Sequence, residues 1–86
     1  MYKVSDEVRS SHSQDGGIVL HIGQGKMYNL NPVGSRILEL LKKGSSRLSI
    51  AGKIAAEFEI ELDLAENDVW EFLQTLQKLQ LIEDGF

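Results

Sequence analysis

The 86 residues suffice for one small domain, and a chain of this size buries only roughly 60–65% of the surface its unfolded form exposes, so its core is thin. There are no cysteines, which excludes disulfides, thiolate chemistry and cysteine-based zinc sites. The net charge of −4 is uneven: residues 1–56 carry eight Lys/Arg against four Asp/Glu, while residues 57–86 carry one lysine against nine acids, a poor surface for nucleic acid.

No apolar run approaches ~18 residues and the first residues lack a signal-peptide pattern, so a cytoplasmic protein without a membrane partner is expected. One proline and no low-complexity tract leave no internal linker, so residues 1–86 are read as a single domain.

Tyr2, Val4 and Val8 alternate loosely with polar residues, and a strand is expected around Glu7–Ser13. Asp15-Gly16-Gly17 reads as a hairpin turn, because φ > 0 is cheap at glycine. Ile18–Ile22 follows as the best strand pattern, with Ile18, Leu20 and Ile22 on one face and Val19 and His21 on the other. Gly23-Gln24-Gly25 makes a second turn, and Lys26–Leu30 completes a three-stranded antiparallel meander. Gly23-Gln24-Gly25 is not a phosphate loop, since a strand follows it and not a helix.

Three helices follow. Asn31 is placed to cap the first, Pro32 suits its first position, Ile37, Leu38, Leu40 and Leu41 form its apolar face, and Gly44 ends it. The second is expected over Arg47–Phe58 with Ser46 as cap and Ile50, Ala51, Ile54, Ala55 and Phe58 as its stripe, Ile60 entering the core after it. Asp63-Leu64-Ala65-Glu66 fits a capping box opening a third helix that runs to about Leu79, with Val69, Phe72, Leu73, Leu76 and Leu79 on one face. Leu81-Ile82 then returns to the core and Glu83–Phe86 is expected to fray. Three strands followed by three helices predict an α+β domain of winged helix-turn-helix-like architecture.

This ordered set resembles the PqqD-like family, the stand-alone peptide-recognition elements of pathways that make ribosomal, post-translationally modified peptides. It comprises the strand ending in Leu30-Asn31, Ile37-Leu38 and Leu41, Ile50-Ala51 with Ile54-Ala55, Phe58 and Ile60, Asp68-Val69 with Phe72-Leu73 and Leu76, and Leu81-Ile82. The resemblance covers residues 16–83. Leu30-Asn31-Pro32-Val33-Gly34 is more similar to the recognition proteins of lasso-peptide clusters than to the pyrroloquinoline-quinone branch. One departure is Gln80, where the family usually has glycine. The resemblance implies a non-catalytic protein that binds a precursor's leader segment as a strand added to Lys26–Leu30, against the third helix. It also implies a processing enzyme as second partner: a leader peptidase in lasso pathways, a radical SAM enzyme in the quinone branch.

The residues permit this independently. A meander leaves its last strand as an edge with unpaired N–H and C=O groups, which invites strand addition. Four or five backbone bonds at about 0.5–1.5 kcal/mol net cannot offset about 2–5 kcal/mol of peptide ordering plus about 4–15 kcal/mol of lost translation and rotation. Buried anchors are therefore required, at about 1.5–3 kcal/mol each. The candidate peptide-binding set is Lys26, Met27, Tyr28, Asn29 and Leu30 on the strand, with Asp68, Val69, Trp70, Leu73 and Gln77 on the third helix. Trp70 and Asp68 fall on opposite flanks of that helix's apolar stripe.

Three other readings compete. A winged-helix DNA binder would want basic residues on the third helix, whereas Asp63–Gln77 has none. A pure adaptor would bind only the processing enzyme. A homodimer could form through the exposed edge strand. An enzyme is not expected, because no nucleophile–base pair is discernible. His12 and His21, the only histidines, could share a sheet face but lack carboxylate company, so both read as surface residues, and no metal or cofactor is expected.

Overall fold

The computed structural model describes residues 2–84. Its elements run β1 (Tyr2–Val4), β2 (Val8–Ser13), β3 (Gly16–His21), β4 (Lys26–Leu30), α1 (Pro32–Lys42), α2 (Arg47–Phe58), α3 (Leu62–Lys78) and β5 (Ile82–Asp84). The fold is α+β, as expected, but its strands make two sheets. The meander β2-β3-β4 is antiparallel throughout, and a separate two-stranded ribbon joins β1 to β5. In that ribbon Tyr2 faces Asp84 and Val4 faces Ile82, with Ser5 N–H donating to Leu81 C=O at 3.0 Å. Glu83 and Asp84, expected to fray, are therefore paired; Gly85 and Phe86 lie outside the described residues.

The helix starts follow the caps. Asn31 Oδ1 accepts from Gly34 N–H at 2.7 Å, and Pro32 occupies the first position of α1. Ser46 Oγ accepts from Ser49 N–H at 3.2 Å at the head of α2. The third cap differs from expectation. α3 begins at Leu62 after Glu61, which makes no side-chain capping bond, so Asp63 lies inside the first turn instead of capping it. There its carboxylate still complements the positive helix end. α3 ends in a paired C-terminal motif: Gln80 N–H donates to Gln77 C=O at 3.0 Å and Leu81 N–H to Leu76 C=O at 2.9 Å. Gln80 takes φ +62° there, the left-handed conformation that favours glycine.

The core lies between the helices and the inner face of the meander, where Val19, Ile37, Leu38, Ile54, Leu73, Leu76 and Leu81 are buried. Tyr28, Leu30, Ile60 and Phe72 pack against it as half-buried residues. The orientation of β3 is the main surprise. Val19 and His21 point inward, whereas Ile18, Leu20 and Ile22 are exposed at 45%, 40% and 54%. α1 lies close against this inner face: a Cβ on Gly17 would stand 2.5 Å from Ser35 Oγ, so no side chain fits at that position. A Cβ on Gly16 would run into Leu30 C=O, and Gly16 has φ +129°, so this glycine serves backbone approach. The hairpin loop itself is Gln14-Asp15, one residue earlier than expected, since Ser13 already pairs with Gly16.

Candidate functional site

The meander has two edges, β2 and β4. Pairing fixes which backbone groups each leaves free. Ile22 N–H donates to Glu7 C=O at 2.8 Å, which makes Glu7–Ile22 a hydrogen-bonded pair. Antiparallel alternation then aims the backbone groups of Val8 away from the sheet, and those of Lys26, Tyr28 and Leu30 toward β3. The N–H and C=O groups of Met27 and Asn29 consequently point off the free side of β4. No strand among the described residues pairs with them.

The two edges are not equivalent. On β2 the Arg9 guanidinium folds back to donate to Val8 C=O at 3.0 Å and Asp6 C=O at 2.9 Å, occupying that edge with a cation. On β4 nothing comparable happens. Met27 and Asn29 are exposed, and Tyr28 turns inward onto the core.

α3 and the residues that follow it approach β4 at its two ends: Gly34, after the strand, faces Phe72, and Gln24, before it, bonds to Gln80. A cavity of about 410 Å³ opens where β4 ends. Asn31, Val33, Gly34, Ile37, Ile60 and Phe72 line it, with Asp68, Glu71 and Thr75 from α3. A second, of about 480 Å³, opens near where β4 begins, lined by the turn residues Gly23 and Gln24, by Gln77 of α3 and Gln80 after it, and by Ser5, Glu7 and Ile82 near the ribbon. The helical steps from Asp68 to the end of α3 at Lys78 rise about 15 Å, and β4 from Lys26 to Leu30 extends about 14 Å. The free strand edge thus has a cavity beyond each end, and α3 contributes side chains to both. Apolar side chains dominate the first cavity and its two carboxylates sit on α3. Gly34 is what lets α1 approach α3 there, since a Cβ on it would stand 2.9 Å from Phe72 Cζ.

The expected residues divide accordingly. Lys26, Met27, Asn29, Asp68 and Gln77 have surface along this arrangement, and Tyr28 and Leu30 reach it as half-buried residues. Val69 and Leu73 are fully buried under it and support α3 without offering surface. Trp70 lies on the other flank of α3. Its ring stacks under the Arg47 guanidinium, 4.8 Å from centroid, beside a cavity of about 320 Å³ that includes Leu48 and Ala51 of α2. Of the two flanks left open by the sequence, it is therefore Asp68 that turns toward the end of β4. Val33, Glu71, Phe72 and Thr75 were not among the candidates. Gly34, a glycine in the first turn of a helix, was the available signal that a bulky neighbour sits against it.

Neither histidine is a free surface residue. His21 is buried and its Nδ1 accepts from Gln24 N–H at 3.1 Å. His12 lies between β2 and α1 in a chain of bonds: Lys42 Nζ to Ser10 Oγ at 2.8 Å, Ser10 Oγ with His12 Nε2 at 2.9 Å, and His12 Nδ1 with Ser35 Oγ at 2.7 Å. Lysine can only donate, so Ser10 Oγ accepts from it, and the ring nitrogens of His12 share one proton between the bonds to Ser10 and Ser35, their directions set by the tautomer. Burial, then the Lys42 charge, push the His12 pKa below 6.5, against opposing pulls from Glu39 and the Ser35 backbone. Near it a cavity of about 560 Å³ is rimmed by Arg36, held by Glu57 at 2.8 and 2.9 Å and by Glu39 at 3.0 Å. Arg36 holds both carboxyls below their usual range. These polar groups satisfy one another and tie the sheet to the helices. Among the described residues no cluster of His, Asp and Glu could hold a metal ion, and no helix is long and apolar enough to cross a membrane.

The family model of coenzyme PQQ synthesis protein D (PqqD) matches residues 16–82. A solved structure of TbiB1 in complex with the TbiA(beta) leader peptide is similar at 36% identity and a TM-score of 0.89, covering 98% of each chain. A lasso peptide synthetase B1 complexed with the leader peptide is similar at 22% identity and a TM-score of 0.85, covering 96% of this chain and 98% of that one, a likeness of fold. No curated protein sequence matches.

Proposed function

The chain belongs to the PqqD family, and from that premise we propose that it captures the leader segment of a ribosomally made precursor as a strand added to β4 and presents it to a processing enzyme, without catalysis of its own. The likeness to TbiB1 over nearly the whole chain supports the lasso-peptide branch, with a leader peptidase as the enzyme served. The observation that carries the reading is the free edge of β4, with Met27 and Asn29 offering four backbone groups between two cavities that α3 helps to line. Strand addition supplies register and generic affinity. The cavity at the end of β4 supplies the anchors that backbone pairing alone lacks: Val33, Ile37, Ile60 and Phe72 receive an apolar or aromatic side chain, and Asp68 and Glu71 favour a leader with a basic residue nearby. Those carboxylates also disfavour a phosphate backbone. The work belongs in the cytoplasm, where precursors are made.

Titration calorimetry with the TbiA(beta) leader peptide, and with leaders encoded by small reading frames beside this gene, tests the proposal. Saturable one-to-one binding at micromolar Kd or tighter supports it. Absence of binding to every leader, with retention on DNA at low salt, contradicts it and favours a winged-helix regulator.

A further inference from the structure

The outward face of the meander is apolar as well as the inward one. On β3 Val19 and His21 point in while Ile18 and Leu20 point out, and Ile22, just after the strand, is exposed with them. Met27, 65% exposed, lies directly across from Leu20 and continues the patch onto β4. An apolar surface of this kind, kept in water, marks a docking site.

We propose that this face, centred on Leu20, is where the domain docks onto the enzyme that processes its peptide, through an apolar element of that enzyme flanked by a carboxylate. The inference rests on the reading under Proposed function. Three observations choose the occupant. Met27 belongs both to the patch and to the free edge, so a strand added to β4 widens the same face, and whatever sits there touches the peptide's outward side chains. Within the three strands the one charged outward residue is Arg9, opposite Leu20, which donates to carbonyl oxygens and to no carboxylate among the described residues. Glu7, just before β2, is drawn aside against Gly23. A cation beside an apolar patch suits an acid-flanked partner and sets two copies of Arg9 against each other in a face-to-face dimer. Four side chains also fall short of the about 800 Å² per partner of a standing complex, which suits a transient client of an enzyme.

The test compares wild type with Leu20→Glu and Ile18→Glu, whose side chains are already exposed, with circular dichroism as the control for folding. Leader affinity is measured by calorimetry, and affinity for the purified leader peptidase encoded beside this gene by surface plasmon resonance. The proposal expects unchanged leader affinity and a loss of at least about tenfold in peptidase affinity, the scale of a central interface residue. It is overturned if the peptidase binds both variants like wild type or binds none of the three. It is also overturned if the variants lose the leader, or if wild type sediments as a dimer that Leu20→Glu dissociates. Failure of wild type itself to bind any leader would instead strike the underlying reading.

Discussion

The Gln24 side-chain amide donates to Gln80 Oε1 at 3.0 Å, which ties the turn preceding β4 to the C-terminal end of α3. The bond holds together the two walls between which the peptide strand is proposed to lie. It also occupies the residue that departs from the family pattern. Gln80 adopts a left-handed backbone that glycine would adopt without strain, and its side chain does something that glycine could not.

Gln80→Gly should therefore stabilise the fold. Relief of the left-handed strain is worth about 1 kcal/mol, and the exposed bond to Gln24 contributes less than that. A domain of this size should gain about 4 °C or more in Tm, read by thermal unfolding.

Gly34→Ala should destabilise it. The new methyl would stand 2.9 Å from Phe72 Cζ and 3.1 Å from Asn31 Oδ1, against the ring that packs α1 on α3 and the oxygen that caps α1. A loss of about 1–3 kcal/mol is expected in denaturant unfolding, with weaker leader binding because Phe72 must move.

Two prolines on one strand should behave oppositely. Asn29 aims its N–H off the free edge, so Asn29→Pro removes a donor for the peptide and no ladder bond to β3. Its Tm should change little while leader affinity falls by about tenfold or more. Tyr28 N–H belongs to the β3 ladder, and Tyr28→Pro should unfold the meander.

Trp70→Phe should leave leader affinity within about twofold, since the ring sits under Arg47 on the α2 side of α3. Calorimetry decides this directly. A large loss would move the groove to the other flank.

Acid should weaken the fold through His12. Its pKa in the folded chain lies below 6.5, so the unfolded chain takes up the proton first. The associated stability is fully present above pH 6.5 and is lost as pH falls through the folded-state pKa. NMR titration of the His12 ring should show the depressed value, and His12→Gln should flatten the dependence of unfolding free energy between pH 7 and 5.

The helices were legible because their signals are local. Asn31-Pro32 and Ser46 cap where the residues themselves dictate, and the period of Ile37, Leu38, Leu40 and Leu41 names the buried face. The third cap misled because Asp63 and Glu66 fit a capping box one turn's fraction too late, while Glu61 begins the helix without a side-chain bond. The ribbon of β1 with β5 escaped because its strands are three residues each and its partners lie at opposite ends of the chain. The alternation on β3 was plain, but which face is inner depends on the side against which α1 packs, a tertiary matter. His21 was misread for the same reason, being carried inward with Val19. At the site, the edge strand was legible from the meander and the two flanks of α3 from helical geometry. The choice between Asp68 and Trp70 needed the placement of α2, which draws Trp70 to Arg47.

The most direct test of strand addition is amide hydrogen exchange, resolved by residue, with and without bound leader. The account predicts that the N–H groups of Met27 and Asn29, exposed to water in the free protein, become strongly protected on binding, while Val8 and Ser10 at the far edge of the sheet are unaffected. Saturable binding that leaves Met27 and Asn29 unprotected, or that protects the β2 edge in their place, would contradict it.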